Sequence, residues 1–389
     1  MHARGVIPGS VCCALAFAAA PLRAQTAPDQ DYRAWVASEA VDKLQLVRFG
    51  PGGLTVERTY TIGILPTDPD GPHGVALAPD GRHLFVSTGH GTPFGSLWKY
   101  ATRDDRLEGR VELGLFPATL QISPDGYLAY VVNFNLHGDM VPSSVSVVAT
   151  DEMLEVARIP TCVMPHGSRL NAQGTKHYSA CMMDDELVEI DTRSLAVSRT
   201  FLLRKGEERG MTGPIARAAA GPGTAAPAHD AGGHGMEPPK PGNVSCSPTW
   251  AQPTPDGRRV FVACNKASEI AEIDAERWTL TRRLPAGEGV YNLATTHDGR
   301  LLVATNKRGQ SVSVFDAVSG KELKRLPTRR KVAHGVAITA DDRYAFVSVE
   351  GIGSEPGTVE VIDLRALATV ATVDVGPMAG GIDVLPAGR

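Results

Sequence analysis

Eleven histidines occur in the 389 residues, and three of them share one local setting: Pro72-His73-Gly74-Val75, Pro165-His166-Gly167-Ser168 and Ala333-His334-Gly335-Val336. Three imidazole nitrogens with an open position suit a catalytic metal, zinc or copper, and nearby thioether sulfur tilts the balance toward copper. Met182 and Met183 are the candidate sulfur donors, and His90 and His137 are further candidate ligands. Glu39 and Glu350 could form the carboxylate pair that a lactone hydrolase or lyase needs as general base. Each has a plainer reading: a histidine before glycine can simply cap a backbone carbonyl, and a glutamate at a strand end is usually just solvated. Other catalytic signatures are absent. There is no Gly-x-Ser-x-Gly elbow, no phosphate-binding glycine loop and no Cys-x-x-Cys-His haem attachment.

Residues so far apart in sequence can act together only if a repeat brings them into one register. The stretch Pro72 to Ser87, PHGVALAPDGRHLFVS, returns in altered form near Pro117, Pro165, Pro248, Val290 and Ala333. Each copy is a short apolar strand, a turn of the Pro-Asp-Gly type and a second strand rich in β-branched and aromatic residues, which is a hairpin pattern. Most copies continue into an alternating strand ending in an acid, as in Glu186 to Asp191, Glu269 to Asp274, Ser311 to Asp316 and Thr358 to Asp363, and then into a fourth. Four antiparallel strands every forty-odd residues is the spacing of a propeller blade.

The two ends of the chain complete the count. Ile382 to Gly388 reads as an innermost strand and its turn with nothing after it, while Tyr32 to Ser38, Lys43 to Phe49 and Leu54 to Ile62 read as the second, third and fourth strands of that same blade. The expected fold is therefore all-β: one seven-bladed β-propeller of four-stranded antiparallel blades over 32–388, its last blade closed by N- and C-terminal strands. Closure leaves no open sheet edge. Between blades three and four, residues 204–245 are rich in Gly, Ala and Pro, without alternating apolar pattern, and are expected as an exposed flexible insertion rather than sheet. His229, Asp230, His234 and Met236 fall there and read as part of a low-complexity loop, with a copper-passing role or a lid as the sharper alternative.

In such a ring the first strand of each blade lines the channel, so His73, His166 and His334 are expected around one mouth. The other blades carry Ala118, Thr249, Tyr291 and a residue near Met378 at that position. The ends of the second strands add His90, His137, Met182, Met183, Glu350 and Glu39 at the same mouth.

The SPDG-like turns, the FVAC and AYVVN second strands and the VEVID third strand resemble the YVTN family of β-propeller repeats, a group similar to lactonase-type propellers and to propeller domains of periplasmic redox enzymes. The resemblance spans residues 32–388 and departs from the family pattern at Ala172-Gln173-Gly174 and in the insertion. It implies a mouth where histidines hold copper or haem in several relatives. It does not choose a function, because the scaffold hosts enzymes, cofactor carriers and binding proteins.

Residues 1–24 read as a signal peptide: a short basic start, an apolar run from Val11 to Ala20, and cleavage after Ala24. Cys12 and Cys13 would leave with it, and localisation is expected to be periplasmic or secreted. Cys162, Cys181, Cys246 and Cys264 then remain, and in an oxidising compartment they point to disulfides. Four cysteines allow three connectivities. Strand adjacency favours Cys162–Cys181 and Cys246–Cys264, each closing about 20 residues and worth roughly 3 kcal/mol; thiolate ligation of a metal is the alternative. A net charge of −4 gives no electrostatic reason to expect nucleic acid or an anionic membrane, and no later segment is long and apolar enough to span a bilayer.

Three functions follow from the residues. The first is a monomeric propeller that binds copper, or otherwise zinc, calcium or magnesium, and uses it for redox or binding chemistry on a small molecule or a redox or protein partner at the channel mouth. The second is a metal-assisted lactone hydrolase or lyase. The third is a non-enzymatic protein-interaction propeller.

Overall fold

The computed structural model describes residues 27–63, 69–90, 94–214 and 244–386. Seven antiparallel sheets follow one another, each with its first strand innermost. The inner strands of blades one to six are Pro72–Leu77, Pro117–Ile122, Pro165–Leu170, Pro248–Pro253, Val290–Thr295 and Val332–Ile338. Blade seven takes its inner strand, Ala379–Val384, from the end of the chain and its other three, Tyr32–Ser38, Lys43–Gly50 and Gly53–Thr61, from the beginning. Trp35 faces Asp383 across that seam and Val36 faces Ile382. The seven-bladed propeller and its terminal closure are as the repeat spacing predicts.

The middle strands are apolar almost without interruption because both of their faces are buried between blades. Leu84 and Val86 pack toward blade seven, while Phe85 between them packs toward blade two. Every pair of neighbouring blades encloses its own apolar cluster, so the core is a ring of seven interfaces rather than one centre. Outermost strands such as Leu107–Glu112 alternate toward solvent, as a sheet edge wetted on one side should.

The expectation of no sheet within 204–245 needs correction. Arg209–Thr212 pairs with Arg199–Leu202 as a fifth strand on blade three. A four-residue strand carries too short a pattern to read, and its backbone ladder supplies what its side chains do not. At the other end of the interval, the fully buried Asp185 carboxylate accepts the N–H groups of Ser245, Cys246 and Ser247 at 2.6–3.0 Å. His229, Asp230, His234 and Met236, like residues 1–24 that read as a signal peptide, lie outside the described residues.

Both expected disulfides form. Cys162, on the outer strand of blade two, joins Cys181 on blade three, and Cys246 joins Cys264 within blade four.

A candidate site at the channel mouth

Position two of each inner strand, counted in blade six from Ala333, forms a tier at the mouth: His73, Ala118, His166, Thr249, Tyr291, His334 and, by the pairing of Ala379 with Ser38, Gly380. The glycine after each histidine is a packing requirement. A Cβ at Gly74 would lie 2.1 Å from the Ala118 carbonyl oxygen, and one at Gly167 2.3 Å from that of Thr249. Adjacent inner strands approach that closely because side chains bridge them. Ser87 Oγ donates to Ala118 O at 2.7 Å, Thr249 Oγ1 to Tyr291 O at 2.8 Å and Thr305 Oγ1 to His334 O at 2.9 Å; Thr119 and Ser348 do the same to His166 O and Gly380 O.

His166 takes that bridging place between blades three and four, its Nδ1–H donating to Thr249 O at 3.0 Å. A carbonyl can only accept, so the neutral ring presents its Nε2 lone pair, and Tyr291 O–H donates to it at 2.9 Å. Both nitrogens of His166 are thus engaged. Burial pushes this imidazole down to about 3, and the neighbouring His73 pushes the same way.

His73 is held differently. Its Nδ1 lies 2.9 Å from Glu39 Oε2, while His90 Nε2 lies 2.8 Å from Oε1 of the same carboxylate. Glu39 reaches them from a short 3-10 turn, Glu39–Val41, whose first N–H bonds Met378 O. Burial pushes Glu39 upward, but the charge and hydrogen bonds of His73, with those of His90, outweigh it and hold the carboxylate well below its usual range. His73 faces Glu39 through Nδ1, and its Nε2 is buried with no hydrogen-bond partner. His334 resembles it: Nε2 is 3.6 Å from Glu350 Oε1, and Nδ1 is buried without a hydrogen-bond partner. Burial first, then the nearby Lys307, pushes His334 well below the usual histidine range.

Lys307 lies 3.5 Å from Glu350 and over the Tyr291 ring at 4.4 Å; burial pushes it down, but Glu350, Tyr291 and Glu39 together outweigh burial and raise it, so it stays a cation. Neither the role of Tyr291 nor Lys307 is evident from composition. A signal existed, however. Glu39, Phe134, Met182, Asn265 and Lys307 follow the second strand of their blades, and Glu350 ends its own, the strand-end register that singles out Glu39 and Glu350.

The three position-two imidazoles are neighbours. His73 is 6.2 Å from His166 and 5.6 Å from His334 between ring centroids, and Tyr291 sits 5.2 Å from His166 and 4.9 Å from His334. Bond lengths near 2.0–2.1 Å put two imidazoles on one ion at centroid separations of about 5–6.5 Å, so ring spacing is suitable. Among the described residues, though, no group of three or more His, Cys, Asp or Glu side chains is arranged to hold a metal, and Tyr291 occupies the His166 lone pair. His90 and His137 form an outer layer, 5.5 Å apart, with Phe116 5.3 and 5.5 Å from them. Phe116, Ala118, Phe134 and Met182 make an apolar cluster beside them, against which Met183 packs.

The fold and tier define the class: a seven-bladed β-propeller with a buried imidazole–phenol cluster at one mouth. No family model matches the chain, and its sequence matches no curated protein. Solved structures match its shape. A functionally unknown protein from Desulfotomaculum acetoxidans aligns at TM-score 0.63 and 15% identity over 91% of this chain and 99% of its own. Hydrazine synthase from Kuenenia stuttgartiensis aligns at TM-score 0.58 and 19% identity over 78% of this chain and 79% of its own. At such identities the likeness is one of fold. Among the described residues no helix is long and apolar enough to cross a membrane.

Proposed function

We propose that this chain is an exported propeller of the YVTN type whose imidazole tier binds a copper ion or a small hydrogen-bond-donating ligand, for redox or binding chemistry on a small molecule or partner. The observation that carries the reading is the pair of buried, unpartnered nitrogens, His73 Nε2 and His334 Nδ1. Buried ring nitrogens left unpaired cost free energy, and a ligand that engages them recovers it. The opposite nitrogen of each ring faces a carboxylate, the arrangement that fixes tautomer and basicity in metal-binding histidines.

The donor chemistry fits copper: His73 and His334 would hold it, with His166 joining if Tyr291 yields its place. Bound there, copper would supply a one-electron redox centre. Glu39 orients His73, Lys307 pairs with the nearby Glu350, and the Phe116–Phe134 wall excludes water. Export is supported by the two disulfides and by the signal-like residues 1–24.

A hydrolase or lyase is the second reading, favoured by the Glu39–His73 pair. A carboxylate held so far below its usual range is a poor base, so His73 Nε2 takes that role and Glu39 positions it.

Metal analysis after loading with copper and dialysis separates the readings. Stoichiometric copper lost in both His73→Ala and His334→Ala supports the first. Lactone hydrolysis without bound copper, abolished by His73→Ala, moves the assignment to the second. Neither copper nor hydrolysis leaves a non-enzymatic interaction propeller.

A further inference from the structure

Three residues further along the inner strands, roughly 10 Å deeper at about 3.3 Å per residue, lies a second polar tier that the imidazoles do not use. Position five carries Gln121, Arg169, Gln252 and Asp383, and the other three blades contribute alanine. All four polar side chains are half-buried. Blades three and seven stand nearly opposite in the ring, and Arg169 and Asp383 each feel the other's charge. No ion pair joins them.

Each is held in place by other contacts. The Arg169 guanidinium lies over the Trp250 ring at 4.4 Å, and Nη1 donates to Ser168 O at 2.8 Å. Asp383 accepts Leu77 N–H on Oδ2 at 2.8 Å and Val384 N–H on Oδ1 at 2.9 Å. Burial lowers Arg169 to about 10, which still leaves it a cation at neutral pH. Burial raises Asp383, against its two backbone N–H groups and Arg169, which pull it down. The walls between are amides: Gln121 Oε1 accepts Leu170 N–H at 2.6 Å, and Gln252 Nε2 donates to Pro253 O and Thr295 Oγ1 at 3.1 and 3.3 Å.

A cation and a carboxylate, both desolvated, fixed by their own supports and not paired with each other, suit a molecule carrying the opposite charges in the same order. We propose that this tier binds a small zwitterion, with the ligand's carboxylate on Arg169 and its ammonium on Asp383. A planar guanidinium accommodates a carboxylate through paired N–H donors. An aspartate that already accepts two backbone N–H groups keeps lone pairs for an ammonium. A dianion would set one carboxylate against Asp383, and a diamine would set one ammonium against Arg169. This site does not depend on what fills the imidazole tier.

Isothermal titration calorimetry on the full chain with 4-aminobutanoate, succinate and 1,4-diaminobutane, all of four carbons, tests the charge order. Saturable binding of 4-aminobutanoate in preference to the other two is expected, weakened at least about tenfold in Arg169→Gln and in Asp383→Asn. Glutamine already occupies this tier in blades two and four, so the fold accepts Arg169→Gln. Absence of 4-aminobutanoate binding, equal binding of succinate or the diamine, or binding unchanged in both variants overturns the proposal. The titration reads Arg169 and Asp383 alone, so it stands whatever the copper analysis returns.

Discussion

Among single residues, the partner of each buried imidazole decides what that imidazole can do. Tyr291→Phe removes the donor to His166 Nε2 and leaves a buried lone pair, so it should lower the unfolding free energy by about 1–3 kcal/mol. If His166 contributes to metal binding, the same variant should hold copper more tightly, read by competition with a chelator. His166, His177 and His334 are all kept neutral by burial, the first two down to about 3 and the third well below the usual range. An unfolded chain takes up these protons as pH falls through about 6.5, the folded chain only far lower. Stability is therefore full above that value and declines below it, by at most about 4 kcal/mol per pH unit for three sites. Glu39, held low by its histidines, adds to the loss below its unperturbed value of 4.5. Urea midpoints at about pH 7.5 and about pH 5 should differ accordingly, and a flat profile would contradict neutral imidazoles. His177, stacked on Tyr130 with both nitrogens unpartnered, gives the control: His177→Phe should stabilise the fold and shrink the pH dependence.

For the elements, what matters is how inner strands are tied to their neighbours. The hydroxyl bridges at position two recur around the ring, and His166 replaces one of them between blades three and four. Ser87→Ala breaks one such bridge and should cost about 1 kcal/mol in a chemical melt. The disulfides sit near the same end of the blades, separated by 19 and 18 residues in sequence. Reduction should lower stability by roughly 3 kcal/mol for each bridge, seen as a lower melting temperature in dithiothreitol. An unchanged melt under full reduction, checked by thiol counting, would argue against that contribution.

For the whole molecule, the seam in blade seven is the one place where remote sequence must meet. Without Ala379–Val384 the ring loses its closing strand and exposes the free edge of Tyr32–Ser38. A chain ending before Ala379 should unfold with poor cooperativity and associate, seen by light scattering during a thermal melt. A monomeric, cooperative truncation would show that closure is dispensable.

The sequence by itself determined the blade count, the terminal closure and the register that collects His73, His166 and His334, and it favoured the disulfide pairs that the structure fixes. All of these follow from a repeat whose period survives in local turns and strand patterns, such as Pro79-Asp80-Gly81 and Glu269 to Asp274. Tertiary structure alone decided which ring nitrogens are free. That depends on what lies across blade boundaries: Glu39 from blade seven on His73, Thr249 from blade four and Tyr291 from blade five on His166. It likewise decided that Arg169 and Asp383, 214 residues apart by their numbers, share one tier without forming an ion pair. Hydrogen bonds and charges act over a few ångströms in space, and no local pattern encodes a partner on another blade.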